Sequence, residues 1–228
     1  MKKIIIAIFA HPDDEAFGPS GTLLSETKSG AELHLISLTD GDAGTNQDNH
    51  SDLGTLRLQE WRNAGTLMGA TGFYHLGMTD GHLGNADFLQ AIGEIETIIK
   101  QIAAAQDQPY EIELISNDLN GITGHIDHIV AARAACFIFY TLQRAGLPLT
   151  KLRLACIPHA QLDRVNLDWL FMESGRLPNE IDETVDARHY HDEIIAIMRA
   201  HHSQRGDGEE HIKKLGDQLG LNYFIVRR

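Results

Sequence analysis

One histidine and three acidic residues follow the first apolar run of the chain. The run IIIAIF (4–9) leads into AHPDDE (10–15), so His11 is followed by Asp13, Asp14 and Glu15. Like charges at adjacent positions destabilise a partly buried turn unless something compensates them. A cation bound by His11 and Asp14 is one interpretation, and a solvated loop that contains a histidine is the other.

A second group of the same residue types occurs in GHIDH (124–128), where His125 and His128 have the i,i+3 spacing of neighbours on one helix face. Imidazole and carboxylate suit zinc, with bonds of about 2.0–2.2 Å. Two histidines and one carboxylate leave a coordination position for water, as in catalytic zinc sites. Either group on its own is found more often in a hydrogen-bonded loop than in a metal site. Together they predict a metal site, with one Zn²⁺ per chain.

Strands and helices must bring the two groups together. Short runs rich in Ile, Val and Leu alternate with helical patterns, which is typical of a parallel sheet covered on both faces. The predicted strands cover 4–10, 32–39, 72–78, 112–117 and 151–158, and the predicted helices cover 21–29, 53–70, 86–105, 128–145 and 191–204. NYFIVRR (222–228) predicts a closing strand at an edge of the sheet. We therefore predict one α/β domain, residues 1–228, that is Rossmann-like, with a mainly parallel sheet and helices on both faces.

Polar residues cluster where the predicted strands end. Open parallel sheets bind ligands beyond the carboxyl ends of their strands. The residues at the first four strand ends are His11, Asp13 and Asp14, then Thr39, Asp40 and Asp42, then Asp80, and finally Asn117, Asp118, His125, Asp127 and His128. We expect these four strand ends to converge on one site.

Composition and charge narrow the function classes. The 228 residues are 43% hydrophobic and carry a formal net charge of −13. This charge argues against nucleic acid and anionic membrane surfaces, which need clustered Lys and Arg. No apolar run reaches the ~20 residues of a transmembrane helix. The two cysteines, Cys136 and Cys156, predict a reducing compartment. With MKKIIIAIFA interpreted as a strand and not as a signal peptide, we expect a cytoplasmic protein.

With both groups in place, the sequence resembles the LmbE/PIG-L family of zinc-dependent N-acetylglucosaminyl deacetylases. AHPDDE and GHIDH are the specific elements of the resemblance, which runs from residue 4 to about residue 204. Further matches are T-x-G-x-x-G (39–44), R-x-x-E (57–60), the LG…DG element (76–81) and AHHSQ (200–204). Ile126 stands where the family generally has proline.

The resemblance implies a role for each matching residue. His11, Asp14 and His128 would hold the zinc, and Asp13 would be the general base. His125 would face the substrate carbonyl, and Asp127 would hold its ring. The implied substrate is a small N-acetyl amino sugar or its conjugate, and a homo-oligomer is plausible.

Two further residues match positions that the family uses for substrate. Arg57 could pair with a carboxylate or phosphate of the substrate, or with Glu60 on its own helix. Asp80 could accept hydrogen bonds from sugar hydroxyls or simply form an Asp-Gly turn. The remaining histidines that were considered are interpreted as structural: His34, His75, His189, His201 and His202.

Two alternative functions stay open at this point. A metallophosphoesterase also places His and Asp at strand ends, but it needs ligands for two metals ~3.5–4 Å apart. A non-catalytic nucleotide- or sugar-binding module of the same fold is the other alternative. No G-x-G-x-x-G follows the first strand, which weakens the nucleotide version of that reading.

Overall fold

The core of the fold is a seven-stranded sheet with helices on both faces. The computed structural model describes residues 1–162 and 175–228. The strands are β1 (Lys2–Phe9), β2 (Glu32–Thr39), β3 (Ala70–Met78), β4 (Tyr110–Asn117), β5 (Leu149–Cys156), β6 (Glu183–Asp186) and β7 (Leu221–Arg227). The described α-helices are α1 (Asp14–Phe17), α2 (Ser20–Lys28), α3 (Leu53–Leu67), α4 (Asn85–Ala104), α5 (Gly121–Gly124), α6 (Ile126–Arg144), α7 (His191–Arg199) and α8 (Arg205–Leu215). In these ranges no helix has both the length and the apolar character to cross a bilayer.

The strand order is β3-β2-β1-β4-β5-β7-β6. The first five strands in this order are parallel, and β7 is antiparallel to both of its neighbours. The chain moves outward from β1 to β3 and then returns to place β4 beside β1. The order therefore reverses between β1 and β4, and the crevice beyond the carboxyl ends of these strands is where such sheets bind ligands.

Both faces of the sheet are buried, and β1 shows this most clearly. Ile4, Ile6 and Ile8 pack into the layer that contains α4 and α6. Ile5, Ala7 and Phe9 alternate with them and pack into the layer that contains α2, α3 and α7. A strand buried on both sides needs no polar alternation, which explains the continuous apolar run. The predicted fold class is confirmed.

The closing strand was predicted at an edge of the sheet, and this is wrong. β7 lies between β5 and β6, and its Phe224, Ile225 and Val226 are buried. The edge is the four-residue strand β6, whose sequence ETVD is half-exposed and charged, as edge strands commonly are. The predicted helix 191–204 is also shorter, since α7 ends at Arg199 and α8 begins at Arg205.

Candidate metal centre

The turn after β1 fixes the carboxylate of Asp14. Oδ2 of Asp14 accepts hydrogen bonds from the backbone N–H groups of Ala10 and His11, each at 3.1 Å. These bonds hold the carboxylate at the first turn of α1. Burial raises the pKa of Asp14, but the charge and hydrogen bond of His128 and the charge of His11 outweigh it and lower the pKa below its usual range. Asp14 is therefore an ionised ligand candidate.

The turn after β4 fixes His128. Its Nδ1 lies 3.2 Å from the carbonyl oxygen of Gly121, to which it donates as N–H. This contact leaves Nε2 of His128 with a lone pair, as in metal-ligating histidines. The turn itself is strained, because Ile122 has φ 66°, a conformation that β-branched residues rarely adopt.

Three electron-pair donors converge between the two turns. Nδ1 of His11 lies 3.1 Å from Nε2 of His128, and this Nε2 lies 3.1 Å from Oδ1 of Asp14. Oδ2 of Asp14 lies 3.8 Å from Nδ1 of His11. Ligand atoms around tetrahedral zinc, with bonds of ~2.0–2.2 Å, are about 3.3–3.6 Å apart. The donor types and spacing fit zinc, and a cation between these atoms removes their mutual repulsion.

Two carboxylates hold the His11 ring from its other side. Nε2 of His11 lies 2.9 Å from Oδ1 of Asp80 and 3.3 Å from Oδ2 of Asp127. Burial lowers the pKa of His11, but these hydrogen bonds and the charge of Asp14 raise it to about 10. Because the Nε2–H group donates to these carboxylates, Nδ1 is the ring nitrogen that faces the centre. A carboxylate behind a ligating histidine fixes its orientation and raises its basicity.

Asp13 has an unusual backbone conformation. Its φ is 144° and its ψ is −21°, a region that costs a non-glycine residue about 1–3 kcal/mol. Its carboxylate accepts a hydrogen bond of 2.7 Å from Nη2 of Arg57. Burial raises the pKa of Asp13, with the positive charge of Arg57 opposing it. Strain of this kind persists at functional sites, where the surrounding contacts impose it.

The two candidate substrate residues both contact protein groups. Besides Asp13, the buried Arg57 donates to the carbonyl oxygens of Gly41 and Pro12, at 2.6 and 2.9 Å. Asp80 is buried and accepts from the N–H of Ala43 at 2.9 Å as well as from His11. Both side chains therefore position the centre. A direct contact with substrate stays a prediction for each of them.

His125 and Asp127 begin α6. Nδ1 of His125 accepts from the backbone N–H of Asp127 at 3.2 Å, which places the proton of the neutral ring on Nε2. The ring stacks on His128 with centroids 4.7 Å apart. The Asp127 carboxylate accepts from the N–H groups of Gly81 and Leu83, at 2.7 and 3.1 Å. Asp127 thus holds His125 through its amide and His11 through its carboxylate.

Sequence reasoning missed a buried pair behind Asp13. Nε2 of His201 lies 3.1 Å from Oε1 of Glu15, and both side chains are almost completely buried. Oε2 of Glu15 accepts the backbone N–H of Asp13 at 3.3 Å. His201 was interpreted as merely structural, although AHHSQ was among the matched motifs. The glutamate in AHPDDE and the histidine in AHHSQ were the available signals.

The R-x-x-E motif meets the same AHHSQ segment. Glu60 accepts from the backbone N–H and the hydroxyl of Ser203, at 2.9 and 2.6 Å. Glu60 therefore ties α3 to the segment after α7, while Arg57, one turn earlier, reaches Asp13. The alternative of an Arg57–Glu60 pair is not the arrangement observed.

The candidate metal ligands among the described residues overlap. Two groups of possible ligands lie within 4.8 Å, namely His11 with His125 and His128, and His11 with Asp80 and Asp127. Both groups share His11. In the second, Nε2 of His11 lies within hydrogen-bond distance of both carboxylates, so this nitrogen carries a proton and is not a ligand atom. The first group is therefore the candidate metal position, and its neighbouring carboxylate is Asp14, whose Oδ1 lies 3.1 Å from Nε2 of His128.

Comparison with known proteins identifies the family. A family model described as PIG-L, GlcNAc-PI de-N-acetylase, matches residues 6–139, which is more than half of the chain. The chain belongs to the PIG-L family. This confirms the predicted family and, with it, the prediction of an N-deacetylase that hydrolyses an amide C–N bond.

Relatives and solved structures agree with this family. The 1D-myo-inositol 2-acetamido-2-deoxy-alpha-D-glucopyranoside deacetylase of Mycolicibacterium smegmatis (strain ATCC 700084 / mc(2)155) is 24% identical over 237 aligned positions, which cover 88% of this chain and 79% of that protein. The structure of N,N'-diacetylchitobiose deacetylase from Pyrococcus horikoshii has a TM-score of 0.68 at 18% identity, over 99% of this chain and 83% of that one.

The solved structure of an enzyme that catalyses a different reaction is similar to this chain as well. The 4-carboxy-2-hydroxymuconate hydratase of Pseudomonas putida KT2440 has a TM-score of 0.69 at 15% identity, over 100% of this chain and 97% of that one. Identities this low establish the fold and not the reaction. The reaction must be argued from the site residues and from the family.

Proposed function

We propose that this protein is a zinc-dependent hydrolase that removes the acetyl group from an N-acetylglucosamine-type substrate and releases acetate and a free amine. The observation that carries the proposal is the approach of three side chains to one point: Nδ1 of His11 and Oδ1 of Asp14 each lie 3.1 Å from Nε2 of His128, and Oδ2 of Asp14 lies 3.8 Å from Nδ1 of His11. The PIG-L match and the amino-sugar deacetylases among the relatives support the substrate class.

In this proposal His11, Asp14 and His128 hold one zinc ion. When bound, zinc would act as a Lewis acid and would lower the pKa of a coordinated water to roughly 7. Burial raises the pKa of Asp13, which makes this carboxylate a stronger base than an ordinary aspartate. Arg57 holds the carboxylate in place by the 2.7 Å hydrogen bond.

Asp13 and His125 then move or hold protons during the reaction. Asp13 accepts the proton of the water whose oxygen bonds to the acetyl carbon. His125 donates a hydrogen bond from Nε2 to the carbonyl oxygen as it gains negative charge. Asp13 returns its proton to the departing nitrogen as the C–N bond breaks. The products, acetate and a free amine, balance the water that was consumed.

The other predictions about partners and location belong to the same proposal. A small amino sugar is the expected partner, while homo-oligomerisation and a cytoplasmic location stay predictions. A phosphoesterase would need a second metal position, and the candidate ligand groups of the described residues share one histidine. A hydratase reaction is possible on this fold, so the test must detect amide cleavage itself.

Zinc content and acetate release test the proposal together. We expect about one zinc per chain in the wild-type protein, and release of equal amounts of acetate and free amine from N-acetylglucosamine or N,N'-diacetylchitobiose. His128→Ala should lose the zinc and the activity, because it removes a ligand. His202→Ala is the matched control, since His202 is exposed.

Three outcomes would contradict the proposal. Two metals per chain would favour a phosphoesterase. Full zinc with no acetate release from any N-acetyl amino sugar would favour a different reaction on this fold, such as hydration. Zinc retained by His128→Ala would mean that the ligand set is wrong.

A further inference from the structure

A cavity of about 250 Å³ adjoins the metal centre on the side of Asp14 and His128, which both line it. The described residues that form its other walls come from α1, the turn of Gly121–Gly124, the end of β5, α8 and the start of β7. The mechanism above uses none of these walls. A group attached close to the hydrolysed amide would nevertheless lie within reach of this cavity.

The walls are mainly apolar. The half-buried side chains that face the cavity are Phe17, Ile122, Ile157, Leu215, Leu221 and Tyr223. They come from segments far apart in sequence, so the apolar surface arises from the fold and not from one amphipathic helix. Exposing several such side chains to water in one concave surface is unfavourable unless a ligand covers them.

Three polar side chains in these walls, those of Asn222, Gln161 and His211, are directed to protein partners. Asn222 accepts from the N–H and the hydroxyl of Thr22, at 2.8 and 2.9 Å, and Gln161 donates to Gln218 at 2.9 Å. His211 lies against Phe17, with ring centroids 6.2 Å apart. Burial and the charge of Lys214 lower the pKa of His211, so its ring is neutral near pH 7. Sugar hydroxyls placed among these groups would lose hydrogen bonds to water without regaining them.

We propose that this cavity, which we name the apolar chamber, binds an alkyl or aryl group of the substrate next to the amide that is hydrolysed. The inference rests on the proposed deacetylase function. A cavity of ~150 Å³ in another protein holds benzene, so the apolar chamber is large enough for a phenyl ring or a short alkyl chain. The group belongs either to the acyl side of the amide, as a chain longer than acetyl, or to the sugar side, as an apolar aglycone.

Ile122 connects the apolar chamber to the metal centre. The strained turn that places Ile122 in the wall also provides the Gly121 carbonyl that holds His128. The backbone strain at Ile122 therefore serves two features at once, the metal ligand and the apolar wall. Because one turn both lines the apolar chamber and holds the candidate metal ligand His128, the apolar chamber is part of the proposed active site.

Three substrates test the proposal and separate the two sources of the apolar group. These are N-acetylglucosamine, N-hexanoylglucosamine for the acyl side, and phenyl 2-acetamido-2-deoxy-β-D-glucopyranoside for the sugar side. Release of free amine is common to all three and is the quantity to measure. Each buried methylene gives about three- to fourfold in affinity. We therefore expect kcat/KM at least ~10-fold higher for one of the two apolar substrates than for N-acetylglucosamine.

Variants localise the effect to the apolar chamber. Leu215→Trp fills it from the end of α8 and should remove most of the gain while kcat/KM for N-acetylglucosamine changes little. Leu221→Asn, which makes the wall polar without filling it, should also reduce the gain. Leu89→Trp on α4 is the matched control, because Leu89 is 63% exposed and does not line the cavity.

The outcomes distinguish this proposal from the proposed function. Equal kcat/KM for the three substrates would overturn the apolar chamber and leave the deacetylase intact. Without amine release from any substrate, the deacetylase proposal fails, and calorimetric binding of the same phenyl glycoside then decides about the chamber. The apolar chamber is supported if the phenyl glycoside binds at least ~10-fold more tightly than N-acetylglucosamine and if Leu215→Trp weakens that binding. Equal binding of the phenyl glycoside and N-acetylglucosamine overturns it.

Discussion

Asp13 and Asp14 are adjacent in sequence but differ in environment. Asp14 accepts two backbone N–H groups and faces His128, so its pKa is lowered despite burial. Asp13 is strained, pairs with Arg57 and has a pKa raised by burial. Two carboxylates whose surroundings separate their pKa values can take different roles. The ionised Asp14 suits a ligand, and Asp13 suits a base.

Asp13→Asn tests the assignment of the base. The amide keeps the shape of the side chain but cannot accept a proton, so we expect kcat to fall by about 10²–10⁴-fold with the zinc content unchanged. Asp192→Asn is the control, since the Asp192 side chain is 99% exposed. Near-normal turnover of Asp13→Asn would exclude Asp13 as the base.

Glu15 is expected to act through Asp13 as a positioning residue. Glu15→Gln weakens the contacts to the Asp13 amide and to His201, which are the contacts that hold the strained turn. Contacts behind a catalytic group of this kind typically contribute about 10–100-fold. We expect kcat to fall by that amount with KM and zinc content nearly unchanged, while Glu209→Gln on the surface of α8 has no effect. A loss of thermal stability with unchanged kcat would instead indicate a purely structural role.

Residue types and spacing predicted His11, Asp14, His125 and His128 as candidate ligands, since AHPDDE and GHIDH lie at strand ends that the sheet brings together. The resemblance to the family supplied the role of Asp13 as base. The partners behind them were harder to predict. The pairing of Glu15 with His201 spans 186 positions, and no local pattern specifies such a contact. The orientation of Arg57 toward Asp13 instead of Glu60 also depends on the tertiary structure.

At the scale of elements, the loop between β2 and α3 positions Arg57. Gly41 has φ +72°, and a Cβ at this position would lie 2.4 Å from Nη1 of Arg57. The guanidinium can therefore lie against the backbone and donate to the Gly41 carbonyl. This close approach explains the glycine at position 41 of the T-x-G-x-x-G pattern.

Gly41→Ala should displace Arg57 and, with it, Asp13. A displacement of about 1 Å near the reacting groups can cost ~10²-fold in rate, so we expect kcat to fall by about that factor at unchanged zinc content. Gly93→Ala is the matched control in α4, where a Cβ meets no other atom within 4 Å. It should keep full activity and stabilise the helix by up to about 1 kcal/mol. Full activity of Gly41→Ala would show that the loop does not position the base.

The predicted elements show which signals a sequence carries. Strands β1 to β5 are short apolar runs, and most of the helices between them have apolar residues at helical spacing over three or more turns. These elements were located to within a few residues. β6 is only four residues long and polar, so no pattern marks it. Because β6 was not predicted, β7 was assigned to the edge of the sheet. α8 begins directly after a short 3₁₀ turn (His202–Gln204) and is mostly polar, which obscures its apolar side.

At the scale of the whole molecule, the fold provides a place for chemistry but not its identity. The crevice between β1 and β4 collects residues from several strand ends, and a deacetylase and a hydratase both have similar folds. The reaction therefore depends on the side chains placed there. The argument for amide hydrolysis rests on the donor set of the centre and on the PIG-L family.

A second charged cluster lies away from the metal centre and concerns stability. Arg153 of β5 is 4% exposed in its side chain and pairs with Glu26 of α2 at 2.7 Å, Glu183 of β6 at 3.0 Å and Glu113 of β4 at 3.3 Å. Lys3 of β1 also pairs with Glu26 and Glu113, at 2.9 and 3.0 Å. These ion pairs join β1, β4 and β5 to α2 and to the short edge strand β6.

Arg153→Met should destabilise the fold in a pH-dependent way. Removing one partner of a buried charge cluster costs about 3–5 kcal/mol, because the remaining carboxylates stay buried.

Burial raises the pKa of Glu26, but Lys3 and Arg153 outweigh it and hold the pKa below its ordinary value of 4.5. A carboxylate with a lowered native pKa stabilises the fold fully above its unfolded pKa, and this contribution is lost as the pH falls through the native pKa. Urea unfolding of the wild type and Arg153→Met should therefore differ most near pH 7 and progressively less below about pH 4.5. Arg188→Met, which removes an exposed pair with Asp186, should leave the free energy of unfolding nearly unchanged, because exposed ion pairs contribute little to stability. A difference for Arg153→Met that stays constant from pH 7 to pH 3 would show that the arginine contributes by packing and not by its charge.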